Sequence, residues 1–355
     1  MDKNSKEFLF EILNTPSPTG YEQPVQRIVR QRMKKYADSI ESDLHGNVIV
    51  GINLKAKRKV MLAGHCDQIG FMVKHITKEG FIYVSTLGGI DVGVLYGASV
   101  TIYTNKGEVP GIIGRKPIHY QTAEERDKQK LDIEKIWIDI GAKDKKEAEK
   151  KIRIGDPVTF KLGVTELSSD LICGPGLDDK VGLFIAMEAL RLCAEGKTPN
   201  VGLYAVSTVQ EEVGLRGAQT SAFGIDPEVG IAIDVTHASD NPGNENSKTV
   251  EVVLGKGPSI YRGPNVNPIV ESMLFDVGKK LKIPHQALPH SKLLGNDANV
   301  MQVTRSGVAA ASIGIPNRYM HTQVEVCSLK DLENSAKLLA GFVRAIGPKS
   351  DFRPK

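Results

Sequence analysis

The sequence predicts an α/β fold: a doubly wound, mixed-sheet domain interrupted by a small β-barrel-like insert. Three observations carry this. Apolar runs that read as buried strands alternate with amphipathic helical runs toward both ends of the chain, the rhythm of α/β units. Between about residues 70 and 162 this gives way to short alternating strands and many glycines, the pattern of a small barrel or sandwich. Finally, VMLAGHCD, GLYAVSTVQEE and VGIAIDVTH each run from apolar residues straight into His or carboxylate. Ligands of open parallel sheets bind beyond the carboxyl ends of the strands, so these three ends argue for one shared site. The division expected is 1–69 and 163–355 for the α/β domain and 70–162 for the insert.

Residues 5–14 and 22–37 read as amphipathic helices. In the second, Val25, Ile28, Val29 and Met33 recur at helical spacing. TPSPTGYE between them is a loop, with two prolines and a glycine. ESD and NVIVGI read as strands flanking the turn LHGN, and VMLAGHCD follows. In the middle region FIYVSTLG, ASVTIYT, GEVPGIIG, IWIDIGA and DPVTFKLG read as strands, with NKG at 105–107 as a hairpin turn. The charged stretches 122–132 and 143–151 read as solvated helix or loop. Beyond residue 163, DKVGLFIAMEALRLCAEG is a helix with Val181, Phe184, Ile185, Met187 and Leu190 for its buried side. GLYAVSTV is a strand, AQTSAFGI a short helix, and VGIAIDV and TVEVVLG are strands. NPIVESMLFDVGKKLKI is a long helix, VAAASIGIP a strand, and LKDLENSAKLLAGFVRAI the C-terminal helix.

The bulk properties exclude several classes. The 355 residues are 41% hydrophobic and 25% charged, ordinary for a globular protein. A net charge of +4 is the small difference between 46 basic and 42 acidic residues, and no basic block is interleaved with aromatics, so nucleic acid is not an expected partner. No apolar run approaches the ~18 residues of a membrane span, and MDKNSKEFLFEILN lacks the pattern of a signal peptide. Cys66, Cys173, Cys193 and Cys327 are far apart and form no CxxC pair. They read as reduced thiols of a cytoplasmic protein.

The chemistry lies in His65 and Asp67 (GHCDQIG), Asp178 and Asp179 (GLDDKVG), Glu211 and Glu212 (VQEEVG), Asp234 (IAIDVTH) and His321 (RYMHTQ). Counting each acidic pair as one position, this is the ligand set of a two-metal hydrolase. Such a site needs a bridging carboxylate with terminal N and O ligands, and zinc takes both donors at about 2.0–2.2 Å. Two ions ~3.5–4 Å apart can activate water and polarise a carbonyl. Each residue also has a plainer reading. His65 alone would be a satisfied buried histidine, but a metal-bound imidazole usually donates its other N–H to a carboxylate. Asp67, two residues on, lies on the same side of the strand. Asp178–Asp179 would serve as a helix N-cap with a first-turn acid. Adjacent carboxylates such as Glu211–Glu212 repel one another unless a cation is near. Asp234 could be a solvated strand end and His321 a surface histidine. One site using all of them accounts for the whole set.

These motifs, in this order, resemble the tetrahedral (TET) aminopeptidase family of glutamyl, leucyl and deblocking enzymes. The resemblance covers nearly the whole chain: H-x-D after a strand, the LDD turn, EEVGLRGA, an Asp at the next strand end, GNDAN at 295–299, and RYMHT. It implies an α/β domain split by a β-domain and two divalent ions, zinc or cobalt. One would be held by His65, Asp178 and Asp234, the other by Asp178, Glu212 and His321, with Asp178 bridging. It also implies Glu211 as the general base for a metal-bridging hydroxide, Asp67 orienting His65, and a cis peptide after the bridging Asp. Peptide substrates and a dodecamer built from dimers follow from the same likeness. Many relatives have Glu where this chain has Gln68, Arg for Lys180 and Thr for Asn296. None of these is a ligand, so activity is expected. A carboxypeptidase or deacylase on the same scaffold is the alternative. Some relatives are labelled endoglucanase, but a glycosidase needs two carboxylates flanking a sugar bond and has no use for His65 and His321.

Overall fold

The computed structural model of the chain describes residues 1–122, 132–244 and 250–355. It begins with helices α1 (Lys3–Leu13) and α2 (Gln23–Met33), followed by strands β1 (Ser39–Ser42), β2 (Val48–Ile52) and β3 (Lys59–His65). Asp2 caps α1 by accepting from the Ser5 N–H. Pro24 lies in the first turn of α2, where its missing N–H removes no helical bond.

The next six strands close into a barrel. They are β4 (Gly70–Ile76), β5 (Ile82–Leu87), β6 (Ser99–Thr104), β7 (Gly107–Arg115), β8 (Ile136–Asp139) and β9 (Pro157–Phe160), in the order β4-β5-β8-β7-β6-β9. Closure removes the exposed edges that an open sheet would leave. Buried side chains fill the interior, with Phe71 meeting Phe160 edge-on at 5.6 Å between centroids. Strand β4 has no counterpart in the sequence reading, because a register shift between Val73 and His75 breaks its alternation. The charged run 143–151 contains helix α3 (Lys145–Lys151), solvated except at Ala148, which is buried against the barrel. Most of the other charged run, 122–132, lies outside the described residues.

Strands β10 (Thr165–Glu166) and β11 (Leu171–Gly174) lead into α4 (Leu177–Glu195), then β12 (Gly202–Thr208), α5 (Arg216–Ile225), β13 (Val229–His237) and β14 (Ser259–Arg262). After these come α6 (Pro268–Leu281), β15 (Gln286–Pro289), α7 (Ala298–Gln302), β16 (Ala309–Asn317), β17 (Glu325–Ser328) and α8 (Leu329–Ala345). The expected strand TVEVVLG does not form in its described part. Val252 bonds to Ser239 instead, and the turn at Gly255 and Gly257 hands two backbone N–H groups to the Asp331 carboxylate, each at 2.7 Å.

The main sheet has eight strands in the order β1-β2-β12-β3-β13-β16-β14-β15. Its centre, β12-β3-β13-β16, is parallel, and antiparallel pairs flank it on both sides. Helix α4 packs on one face and α7 on the other. Gly64 leaves room for the backbone of α4 at Gly182, and Gly230 leaves room for Met301 of α7. The chain goes from β3 to β12 on one side and then to β13 on the other, so strand order reverses at β3. That is where open α/β sheets open their ligand crevice. Strands β3 and β13 pair from Val60–Val229 to Ala63–Ala232 and then part.

Candidate metal centre

The eight motif residues converge at this opening. His65 ends β3 and is buried, and Asp234 lies on β13 across the gap, with His65 Nε2 3.9 Å from Asp234 Oδ1. Asp178 and Asp179 stand at the start of α4 with non-helical backbone angles, and the peptide bond between them is cis, as the resemblance implies. The glutamate pair does not extend the strand. Strand β12 stops at Thr208, and Gln210 turns the chain with φ +55°. That turn lets neighbouring carboxylates serve one cluster, which straight strand would forbid because successive side chains alternate. Glu211 Oε2 comes within 3.8 Å of His65 Nε2, and Glu212 Oε2 within 3.9 Å of His321 Nε2. His321 sits in the loop between β16 and β17 with φ +63°.

Asp178 is at the middle. Its Oδ1 is 3.3 Å from His65 Nε2 and its Oδ2 3.1 Å from His321 Nε2, so its two oxygens face different histidines. The donor atoms fall into two groups, each within 4.8 Å: His65, Asp179 and Asp234, and Asp178, Glu212 and His321. The presence of Asp179 in the first group has another explanation. One of its oxygens accepts the His65 backbone N–H at 3.2 Å and the other the Gly182 N–H at 3.0 Å, which is the work of a helix cap.

A layer of fixed partners surrounds these groups. The His65 Nδ1 lies 3.0 Å from the Asp67 carbonyl and 3.4 Å from its carboxylate. The Asp67 carboxylate accepts the N–H groups of Glu211 and Glu212 at 3.0 and 3.3 Å and the Thr19 hydroxyl at 2.8 Å. It thus pins the glutamate turn as well as facing His65. Gln68 and Lys180, two of the three departures from the family pattern, bond each other at 2.5 Å, and Lys180 also donates to the Thr15 carbonyl. Burial pulls the Lys180 ammonium down to about 7.

Two contributors have no signal in the sequence reading. Glu325 is wholly buried at the start of β17 and accepts the N–H groups of Asp178 and His321. The barrel reaches the site through the turn after β5. A side chain at Gly89 would meet His321 Nδ1 at 3.3 Å, and one at Gly88 would strike Glu212 Oε2 at 2.7 Å. Both act through the backbone, which no motif of side chains reveals.

The electrostatics are those of an acid-rich, desolvated pocket. Burial pushes Glu211 up to about 10, with His65 opposing and Asp234, Asp297 and Asp67 adding to the rise. Burial and Asp178 raise Glu212, and burial raises Asp234 against the pull of His65. Burial opposes charge on His65 too, yet Glu211, Asp178 and Asp67 hold its imidazolium well above the usual range. Asp178 is driven low against burial by the hydrogen bonds from His321 and His65. Divalent cations would relieve exactly this kind of crowding, a role one proton per histidine fills only in part. The residues fit such ions in a second respect. Glu212 Oε1 is buried with no hydrogen-bond partner, and an orphaned buried acceptor calls for a ligand. The donors, imidazole nitrogen and carboxylate oxygen, are the set that zinc and similar ions take.

Comparison with known proteins places the chain in a family. The family model of M42 glutamyl aminopeptidases matches residues 46–338. A lysyl aminopeptidase of Pyrococcus furiosus is 40% identical over 350 residues, covering 98% of this chain and 99% of that protein. A TET aminopeptidase from the marine sediment archaeon Thaumarchaeota archaeon SCGC AB-539-E09 superposes with a TM-score of 0.93 at 34% identity, over 98% and 97% of the two chains. The TET1 peptidase of Pyrococcus horikoshii, which assembles into a tetrahedron or a large octahedral shell, gives 0.85 at 30% identity over 96% and 100%. The chain belongs to the M42 glutamyl aminopeptidase family and is a hydrolase of the metallo-aminopeptidase class.

Proposed function

We propose that the chain releases N-terminal amino acids from peptides with two divalent cations, zinc or cobalt. His65, Asp178 and Asp234 would hold one and Asp178, Glu212 and His321 the other. The observation that carries this reading is the posture of Asp178, with one oxygen 3.3 Å from His65 Nε2 and the other 3.1 Å from His321 Nε2. A carboxylate so placed can bridge. Bound there, the cations would polarise the scissile carbonyl and ease deprotonation of a water. Glu211 stands beside the ligands without being needed as one. As general base it would take the proton of the attacking water at its carboxylate and pass it to the leaving amine. Asp67 would keep His65 in the ligand-bearing orientation and hold Glu211 at the end of its turn. The acid-rich pocket suits a substrate that arrives with a free ammonium group. The test is a panel of aminoacyl amides and short peptides, each paired with an N-acetylated copy. Release of free amino acid only from the unblocked member is expected. Equal cleavage of blocked peptides, or release from the carboxyl end, would favour a deacylase or carboxypeptidase instead.

The barrel supplies none of the proposed ligands. We read it as an insert over 70–162 between the catalytic segments 1–69 and 163–355, used for pairing subunits. Shell assembly by the related Pyrococcus horikoshii peptidase and the symmetric habit of soluble homo-oligomers support a dodecamer built from dimers. Light scattering of the cation-loaded protein should give about twelve times 38.6 kDa; a monomer mass would overturn this assembly. Four unpaired cysteines fit a role in cytoplasmic peptide turnover. Among the described residues, no helix is long and apolar enough to cross a membrane.

A further inference from the structure

The two proposed cation positions are built differently. His65 and Asp234 stand on β3 and β13, central strands of the main sheet. Glu212 and His321 stand on loops. His321 and its neighbour Tyr319 both have left-handed backbones, with φ +63° and +60°, a conformation that non-glycine residues hold only when the surroundings enforce it. The His321 side chain is also about one-third exposed, at 36%, whereas that of His65 is 2% exposed. Something must hold the loop position in register with Asp178.

Glu325 meets the requirement. It is wholly buried, and its two oxygens are divided between two segments of chain. One accepts the Asp178 N–H at 3.0 Å, and the other accepts the His321 N–H at 2.9 Å. Strand β17, which begins with Glu325, is itself clamped from both sides. It pairs with β11, with Gly174 opposite Glu325, and Val326 exchanges backbone bonds with Arg318. Among the described residues, no hydrogen-bond partner of Glu325 is a cation. A buried carboxylate with only backbone partners is costly to desolvate. An amide would be cheaper, but it offers one acceptor oxygen and turns an NH2 donor toward one of the two N–H groups.

We propose that Glu325 is a positioning residue, which locks the Asp178 and His321 backbones together and so supports most strongly the cation position formed by Asp178, Glu212 and His321, two of whose three ligands it holds, against one of three in the other. The proposal rests on the two-cation reading above. Calorimetric titration of cation-free protein with Zn²⁺ or Co²⁺ separates the two claims, because the wild type alone must show two binding events for that reading to stand. Given two events, Glu325→Gln should weaken the second ~10–100-fold, the usual effect of removing a ligand's outer partner, and leave the first within about threefold. Glu325→Asp keeps the charge but is one methylene too short to reach both N–H groups, and should show the same selective loss. Saturating Co²⁺ should restore turnover in either variant. A purely structural role predicts a different result: a lower melting temperature of the cation-free protein with both events weakened alike. Equal weakening, or two unchanged events, overturns the proposal. If Glu325→Gln fails to fold, Glu325→Asp decides by the same criteria.

Discussion

Glu211→Gln should leave both cation positions filled and lower turnover by at least ~10²-fold, the lower end of a general base's contribution. The substitution keeps the shape of the side chain and removes its ability to accept a proton. Glu211 is 9% exposed and lies 3.8 Å from His65 Nε2, close enough to the cluster to reach a water held there. Its neighbour provides the control. Glu212→Gln should reduce cation content instead, because Glu212 lies against His321 and carries the orphaned oxygen. Steady-state kinetics and elemental analysis of the two purified variants separate the roles. Wild-type turnover in Glu211→Gln, or loss of its cations, would reassign the base.

The adjacency of these two glutamates shows where sequence reading works and where it stops. The apolar runs before His65 and Asp234 locate both residues at the carboxyl end of the sheet, because strand periodicity and the switch-point rule act locally and globally at once. The same logic carries Glu211 and Glu212 only as far as Thr208. Their cooperation depends on the Gln210 turn and on Asp67 accepting both of their N–H groups, neither of which leaves a periodic mark. Glu325 reads as a lone acid in QVEVCS, and Gly88–Gly89 as one glycine pair among the chain's 35 glycines. Their partners are backbone groups brought close by tertiary folding, over 147 residues in the case of Glu325 and Asp178. The small strands β10, β11 and β17 escape for a related reason. At two to four residues, they are too short to show a period.

The second large effect concerns the cations themselves. Stripping them with a chelator should abolish release of amino acids, because the protein alone leaves Asp178, Glu211, Glu212 and Asp234 crowded in one desolvated pocket. Without cations, proton uptake must relieve that repulsion, and a protonated Glu211 cannot serve as a base. Cations would restore the ionised carboxylates and the electrophile together, so activity should return with metal rather than with pH adjustment alone.

Titration of the stripped protein therefore bears most directly on the two-cation account. Free amino acid released from an aminoacyl amide is followed against added equivalents of Zn²⁺ or Co²⁺, with bound metal measured on the same samples. The account predicts negligible turnover at the start and a plateau at about two bound ions per chain, as a dinuclear hydrolase requires. A plateau at one bound ion, or full turnover with no bound transition metal, would contradict it.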